Sequence, residues 1–386
     1  MTATPIVNTH VHVPPNFSAF TTPADVVESA TKEGVRALGI SNFYDQQVYE
    51  RFAELCADAG IVALFGLEFI TLIADLEQQG IRINDPANPG RMYLCGKGIS
   101  PFKERSAEAA STAVAIRSGN DQRAAAMVSQ LAEHLRTVGI PNDLSADVVA
   151  EQVAERGDVP ASYVSLQERH IARAVQEVAS ASDDPAGALE KAYGGAPKAD
   201  PADVVAVQGE VRSRLIKAGT PGFVGEVPLT FDEAYAYVLA MDGIPCYPTL
   251  ADGVDPVCPF EADPDALAAE LVRRGIHAAE LIPIRNKVTT VDAYVKAFAN
   301  AGIIVMAGTE HNTLDRIPFD PACVDGPISD TARQAFWEAT CIVAAHQARV
   351  AAGQPGFVDD QGTVIGSAAY DHRATLIAEG AAIING

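Results

Sequence analysis

Residues 5–13 read PIVNTHVHV, an apolar run that ends in two histidines separated by one valine. In an extended strand, residues i and i+2 point to the same side, so His10 and His12 face together. A His-x-His pair by itself is more often incidental than metal-binding. Its meaning depends on what the rest of the chain places beside it.

The residues that follow alternate in type. TPADVVESATKEG has a Thr cap, an early Pro and a terminal Gly, which marks a helix. VRALGIS reads as a strand, QQVYERFAELCADAG as an amphipathic helix, IVALFGLEFI as a strand and RMYLCGKG as a further short one. This rhythm predicts parallel strands with helices packed outside them. It resumes after residue 222 with TFDEAYAYVLAMDG (helix), IPCYPTL (strand), DPDALAAELVRRG (helix), HAAELIPI (strand), TVDAYVKAFANAG (helix) and IIVMAGTEHNT (strand). ISDTARQAFWEATCIVAAHQARVAAG closes the series as a long helix expected to pack on the barrel. Repeated units with polar residues at strand C-termini point to a (β/α) barrel, whose sites gather at that end.

Residues 101–222 differ. Windows rich in Ala, Glu, Gln and Arg at helical spacing predict an all-helical insertion between two barrel segments, 1–100 and 223–386. The whole chain has 386 residues and a net charge of −22, from 50 acidic and 28 basic residues. A field of that sign argues against a nucleic-acid polymer or an anionic membrane as partner, while leaving room for a small anion in a local basic pocket. The six cysteines form no C-x-x-C pair, and there is no signal peptide or spanning apolar run. A reduced, cytoplasmic protein is expected, with a homo-oligomer left open.

Four polar clusters fall at strand ends: His10/His12, Glu68 in FGLEF, Glu280 in AAELIP, and Glu310/His311 in GTEHNT. Two imidazoles with a carboxylate from a neighbouring strand and another from a distant one would make an N₂O₂ set suited to Zn, Mn or Fe. A glutamate at the end of a run as apolar as VALFGLEFI also needs a partner or a metal to offset its burial.

The order of these pieces resembles the polymerase-and-histidinol-phosphatase (PHP) family of metal-dependent phosphoesterases, which fold as a distorted seven-stranded (β/α) barrel. NTHVHV resembles the opening H-x-H motif, and LGISNFYD stands where the family has T-D-H. FGLEF resembles a G-x-E strand, MYLCGKG an H-x-L-G-x-G piece and IPCYPTL a strand ending in A-H-P. HAAELIP and VMAGTEHNT resemble the later G-x-E and G-S-D-x-H segments. LQERHIARAVQEVA resembles the small helical domain of the branch that includes nucleotide phosphatases.

What the resemblance implies is a hydrolase with a helical cap that acts on a small anionic substrate such as a phosphate ester. Carried over by position, His10, His12, Glu68 and Glu310 are the expected metal ligands. Other family ligand positions hold Asn42, Phe43, Tyr93 and Tyr247, which implies one divalent ion per chain instead of two or three. With one ion, hydrolase, lyase or isomerase chemistry on a sugar acid or another carbonyl compound is the alternative, and a non-catalytic metabolite-binding protein is a third. His311 is expected to be a fifth ligand or to handle protons, and Tyr93 and Tyr247 to donate protons if they face the pocket. Lys97, Arg169, His170 and Arg285 are the expected contacts to substrate.

Overall fold

The opening run forms strand β1 (Ile6–Val11), most of it buried. In this computed structural model, which describes residues 4–100, 102, 106–366 and 369–386, β1 begins an eight-stranded sheet. The other strands are β2 (Val35–Ile40), β3 (Val62–Leu72), β4 (Arg91–Lys97), β5 (Leu229–Thr230), β6 (Ile244–Thr249), β7 (Ala278–Leu281) and β8 (Ile304–Ala307). Their order is β1-β2-β3-β4-β6-β7-β8, with the two-residue β5 lying against the end of β3. A parallel bridge between Val11 and Glu310 brings β8 back to β1, with His12 N donating to Glu310 O at 2.8 Å. The sheet is thus a nearly closed α/β barrel.

One expectation is corrected here. Strand β4 is antiparallel to both β3 and β6, so the strands are not all parallel. Between β3 and β4 the chain forms only one five-residue helix, Ala74–Gln78. No helix long enough to pack across the sheet lies in this connection, in contrast to the connections between the parallel strands. The chain instead returns as a wide hairpin pairing Gly66–Leu72 with Arg91–Lys97.

Helices α1 (Pro23–Lys32), α2 (Tyr49–Asp58), α9 (Phe231–Ala240), α10 (Pro264–Arg273) and α11 (Val288–Asn300) wrap the outside, counting the short helix as α3 and the insertion's as α4–α8. Their starts carry the expected caps. Thr22 accepts from Asp25 N and precedes Pro23, and Thr230 with Glu233 forms a capping box. They bury an outer apolar layer that includes Leu38, Leu67, Phe69, Tyr247 and Leu281. A separate cluster inside the strand N-termini (Val7, Ala37, Leu64, Ile244, Ala278, Ile304) packs on α12 (Asp330–Ala351). The closing helix therefore plugs the bottom of the barrel. Helix α13 (Ala369–Asn385) packs on α12, with Gly380 pressed against the Cys341 carbonyl.

Helices α4 (Ala107–Thr137), α5 (Ala146–Gly157), α6 (Glu168–Ser180), α7 (Pro185–Tyr193) and α8 (Val204–Val211) share a second apolar core, centred on residues such as Met127, Leu131, Val175 and Leu215. The boundary of this helical cap lies within α4. Its first turns pack Ala109 and Ala113 on the barrel, and its later ones join the cap. The polar strand ends are left at the opposite mouth from the plug.

Candidate metal centre

Strand alternation puts Glu68 on the inner side of β3, because Leu67 and Phe69 belong to the outer layer. On β1 the pairing with β2 is irregular between Asn8 and Val11. Glycines make room for that irregularity. A Cβ on Gly39 would lie 2.3 Å from the Thr9 carbonyl oxygen, and one on Gly308 would lie 2.4 Å from the His10 Cβ. His10 and His12, two residues apart, both aim at Glu68. Glu68 Oε2 lies 3.6 Å from His10 Nε2 and 3.4 Å from His12 Nε2.

These three atoms are buried, and none has a hydrogen-bond partner. Buried polar atoms are almost always satisfied, and each orphan costs about 1–3 kcal/mol. Three orphans converging on one point form a site built to hold something. Their chemistry, two imidazole nitrogens and one carboxylate oxygen, fits a divalent ion such as Zn, Mn or Fe.

The far side of each imidazole is fixed. His10 Nδ1 lies 2.6 Å from Glu280 Oε2, and a carboxylate only accepts, so that nitrogen carries the proton. His12 Nδ1 lies 3.1 Å from Asn16 Oδ1. The Asn16 amide is itself oriented, since its oxygen accepts from Phe43 N and its nitrogen donates to Phe43 O. His12 Nδ1 is therefore also the donor. Both rings present Nε2 to Glu68, the arrangement that outer partners impose on metal-ligating histidines.

Beneath this centre lies a buried charge network. Lys97 Nζ donates to Glu280 Oε1 and Oε2 at 2.9 and 3.0 Å, to Ser41 Oγ at 3.0 Å and to Thr9 O at 3.0 Å. Thr9 Oγ1 adds a fourth contact to Glu280, at 2.7 Å. Burial pushes the Glu280 carboxyl up, but Lys97 and His10 outweigh it and hold the group well below the usual carboxylate range. Burial lowers His10 while Glu280 raises it, and the balance lies at about 9. For Glu68, burial is overcome by the two imidazoles, which bring it down to about 2. A second donor group, His10, Cys95 and Glu280, lies in the same region, but Lys97 already occupies its carboxylate.

Two solved structures share this fold. An amidohydrolase from Chromobacterium violaceum, with bound sulfate and no metal, aligns with a TM-score of 0.55 at 16% identity, over 82% of this chain and 93% of its own. A protein from Bifidobacterium adolescentis, provisionally described as a metal-dependent phosphoesterase, aligns with a TM-score of 0.56 at 16% identity, over 86% of this chain and 96% of its own. No sequence-family profile matches the chain, and no curated protein sequence matches it either.

The other expected site residues divide. Glu310 reaches the mouth but is held by Arg285, whose two terminal nitrogens grip its carboxylate, and by Asn312 Nδ2 at 2.6 Å. Glu310 and His311 both adopt positive φ, 58° and 51°. Two successive left-handed residues without glycine are costly, and such strain concentrates at functional sites. This turn also sends the two side chains in different directions.

His311 does not reach the centre. Its Nδ1 meets Thr309 Oγ1 at 2.7 Å and its Nε2 meets the Ile317 carbonyl at 2.9 Å, between Phe20 and Phe319. No nitrogen is left to carry protons, and burial lowers its pKa to about 4. Tyr247 lies in the outer layer, its hydroxyl donating to Glu261 Oε1 at 2.8 Å, because it alternates with the inward Cys246. Lys97 faces inward but is consumed by Glu280, so it is no anion contact.

Tyr93 faces the mouth near Phe43, and its hydroxyl has no hydrogen bond among the described residues. Burial and the nearby carboxylates keep it protonated. Arg169, on the first turn of α6, stands over the Phe17 ring at 5.9 Å and makes no ion pair among the described residues. Burial and the neighbouring Arg212 lower its pKa to about 10. His170, beside it, is buried and uses Nδ1 to accept from Gln167 N, completing a capping box. Thr9, Asn16, Ser41 and Gln167, which the sequence did not single out, complete the site.

Proposed function

We propose that this protein is a metal-dependent hydrolase of the PHP type, which takes one divalent ion at His10, His12 and Glu68 and acts on a small anionic substrate such as a phosphate ester. The observation that carries this reading is the convergence of three buried, unpartnered donor atoms at the C-terminal mouth of the barrel. The provisional description of one structural neighbour as a metal-dependent phosphoesterase and the sulfate held by the other, an amidohydrolase, support it. A divalent ion in that position would supply Lewis acidity and lower the pKa of a bound water.

The chain's own residues have separate tasks. Glu280 and Asn16 hold the two imidazoles in the ligating tautomer. Arg169, without an ion pair among the described residues, is placed to meet an anionic group at the mouth, and Arg285 could do so by exchanging its grip on Glu310. That exchange would also free Glu310 to join the ligand set. Tyr93 offers a hydroxyl donor on the wall nearest Glu68. The cap over the mouth limits water around the reacting bond.

A second reading keeps the site and changes the bond. Among the described residues only one donor cluster is free of a competing cation, and phosphoester hydrolysis leans on several ions. A single centre suits a carbonyl substrate such as a sugar acid or lactone. A screen of phosphate monoesters and diesters against sugar acids and lactones, with Zn, Mn or Fe supplied, separates the two. Hydrolysis of a phosphate ester that is lost in His10→Ala supports the first reading. Turnover of carbonyl compounds alone overturns it in favour of the second.

A further inference from the structure

We infer that Asn16 and Gln167 are positioning residues that join docking of the helical cap to the affinity of the metal centre. The inference rests on the metal reading of His10, His12 and Glu68. It begins from the Asn16 carbonyl oxygen, which accepts from three donors: His12 Nδ1 at 3.1 Å, Phe43 N at 3.1 Å and Gln167 Nε2 at 2.9 Å. The first donor belongs to the centre, the second to the barrel and the third to the cap. Gln167 also accepts from Phe17 N through Oε1 at 2.7 Å, so one cap side chain clamps two consecutive residues of the loop after β1.

Gln167 is the N-cap of α6, and Arg169 and His170 lie on the turn that follows. The side chain that steadies Asn16 and the guanidinium offered to the substrate therefore move as one piece. Asn16 is buried, and its amide cannot turn over without losing both Phe43 bonds. If the cap lifts, Asn16 loses one donor and Phe17 N its acceptor, and the loop that holds His12 in its tautomer is released. Linkage requires the reverse as well: an ion on His12 favours the docked cap by the same factor.

The test uses the whole protein, Zn²⁺ or Mn²⁺ alone, and no substrate. Gln167→Glu keeps the acceptor for Phe17 N and removes the donor to Asn16, which isolates the link. Titration calorimetry is expected to show about tenfold weaker metal binding in Gln167→Glu, within the roughly 10–100-fold span of outer-partner effects. Hydrogen exchange over residues 164–176 is expected to slow when metal is added to the wild-type protein, and to slow much less in the variant. Metal binding that leaves exchange in α6 unchanged in the wild-type protein overturns the inference, whether or not the variant folds. Equal affinity and equal protection in the two proteins also overturns it. No metal uptake by the wild-type protein overturns the metal reading and this inference with it.

Discussion

Three glutamates meet at the inner wall and mouth of the barrel, and each is used differently. Glu68 keeps a bare oxygen, Glu280 is matched by a buried lysine, and Glu310 is gripped by an arginine. This division leads to two predictions. Glu280→Gln removes the charged acceptor behind His10 and should weaken metal binding about 10–100-fold, read by competition with a chelating dye. An unchanged affinity would show that His10 needs no such partner. Lys97→Met leaves Glu280 buried without its main counter-charge and should cost about 3 kcal/mol in urea unfolding. A loss below about 1 kcal/mol would mean that His10 and Thr9 suffice. At this scale the sequence was informative about direction only where strand periodicity applied. His10, His12 and Glu68 fell out of alternation along β1 and β3. The inward course of Lys97 and the outward course of Tyr247 depend on register, which the composition of CGKG or IPCYPTL does not specify.

At the scale of elements, the decisive features are a reversed strand and a bent one. The reversal of β4 goes with a connection that holds only a five-residue helix, which the strand-helix rhythm conceals. The irregularity in β1 is packed against Gly39 in β2 and Gly308 just after β8, so no local pattern announces it. Gly39→Ala would drive a methyl into the Thr9 backbone and straighten β1. It should destabilise the protein by about 1–3 kcal/mol and weaken metal binding as His10 shifts. Full stability and full affinity together would refute that account of the strand. The turn after β6 supplies a pH test. Burial pushes Glu261 up to about 7, although it accepts from Tyr247 Oη, Leu250 N and Ala251 N. Unfolded, the carboxyl titrates near 4.5, so between about 4.5 and 7 the folded protein holds a proton that the unfolded chain has lost. Stability contributed by Glu261 therefore falls as pH rises through that window, by about 3 kcal/mol in all. Urea unfolding of wild type and Glu261→Gln at pH 5 to 8 should show wild type losing stability relative to the variant. Parallel profiles would contradict the shift.

At the scale of the molecule, α12 closes one end of the barrel and the cap stands over the other. The insertion and the closing helix were legible as helices because their patterns are long and periodic. The cap's core and the plug were not, since they depend on which helix meets which strand end. No helix among the described residues is long and apolar enough to cross a membrane. An ion that binds only the folded state adds stability by mass action, about 2.7 kcal/mol at a hundredfold excess over Kd. The most direct test is elemental analysis of the wild-type protein and of His12→Ala after equilibration with Zn, Mn or Fe and removal of loose ions. About one ion per wild-type chain is expected, and little in the variant. No bound ion, two or more ions per chain, or equal content in both proteins would contradict the reading of one ion at His10, His12 and Glu68.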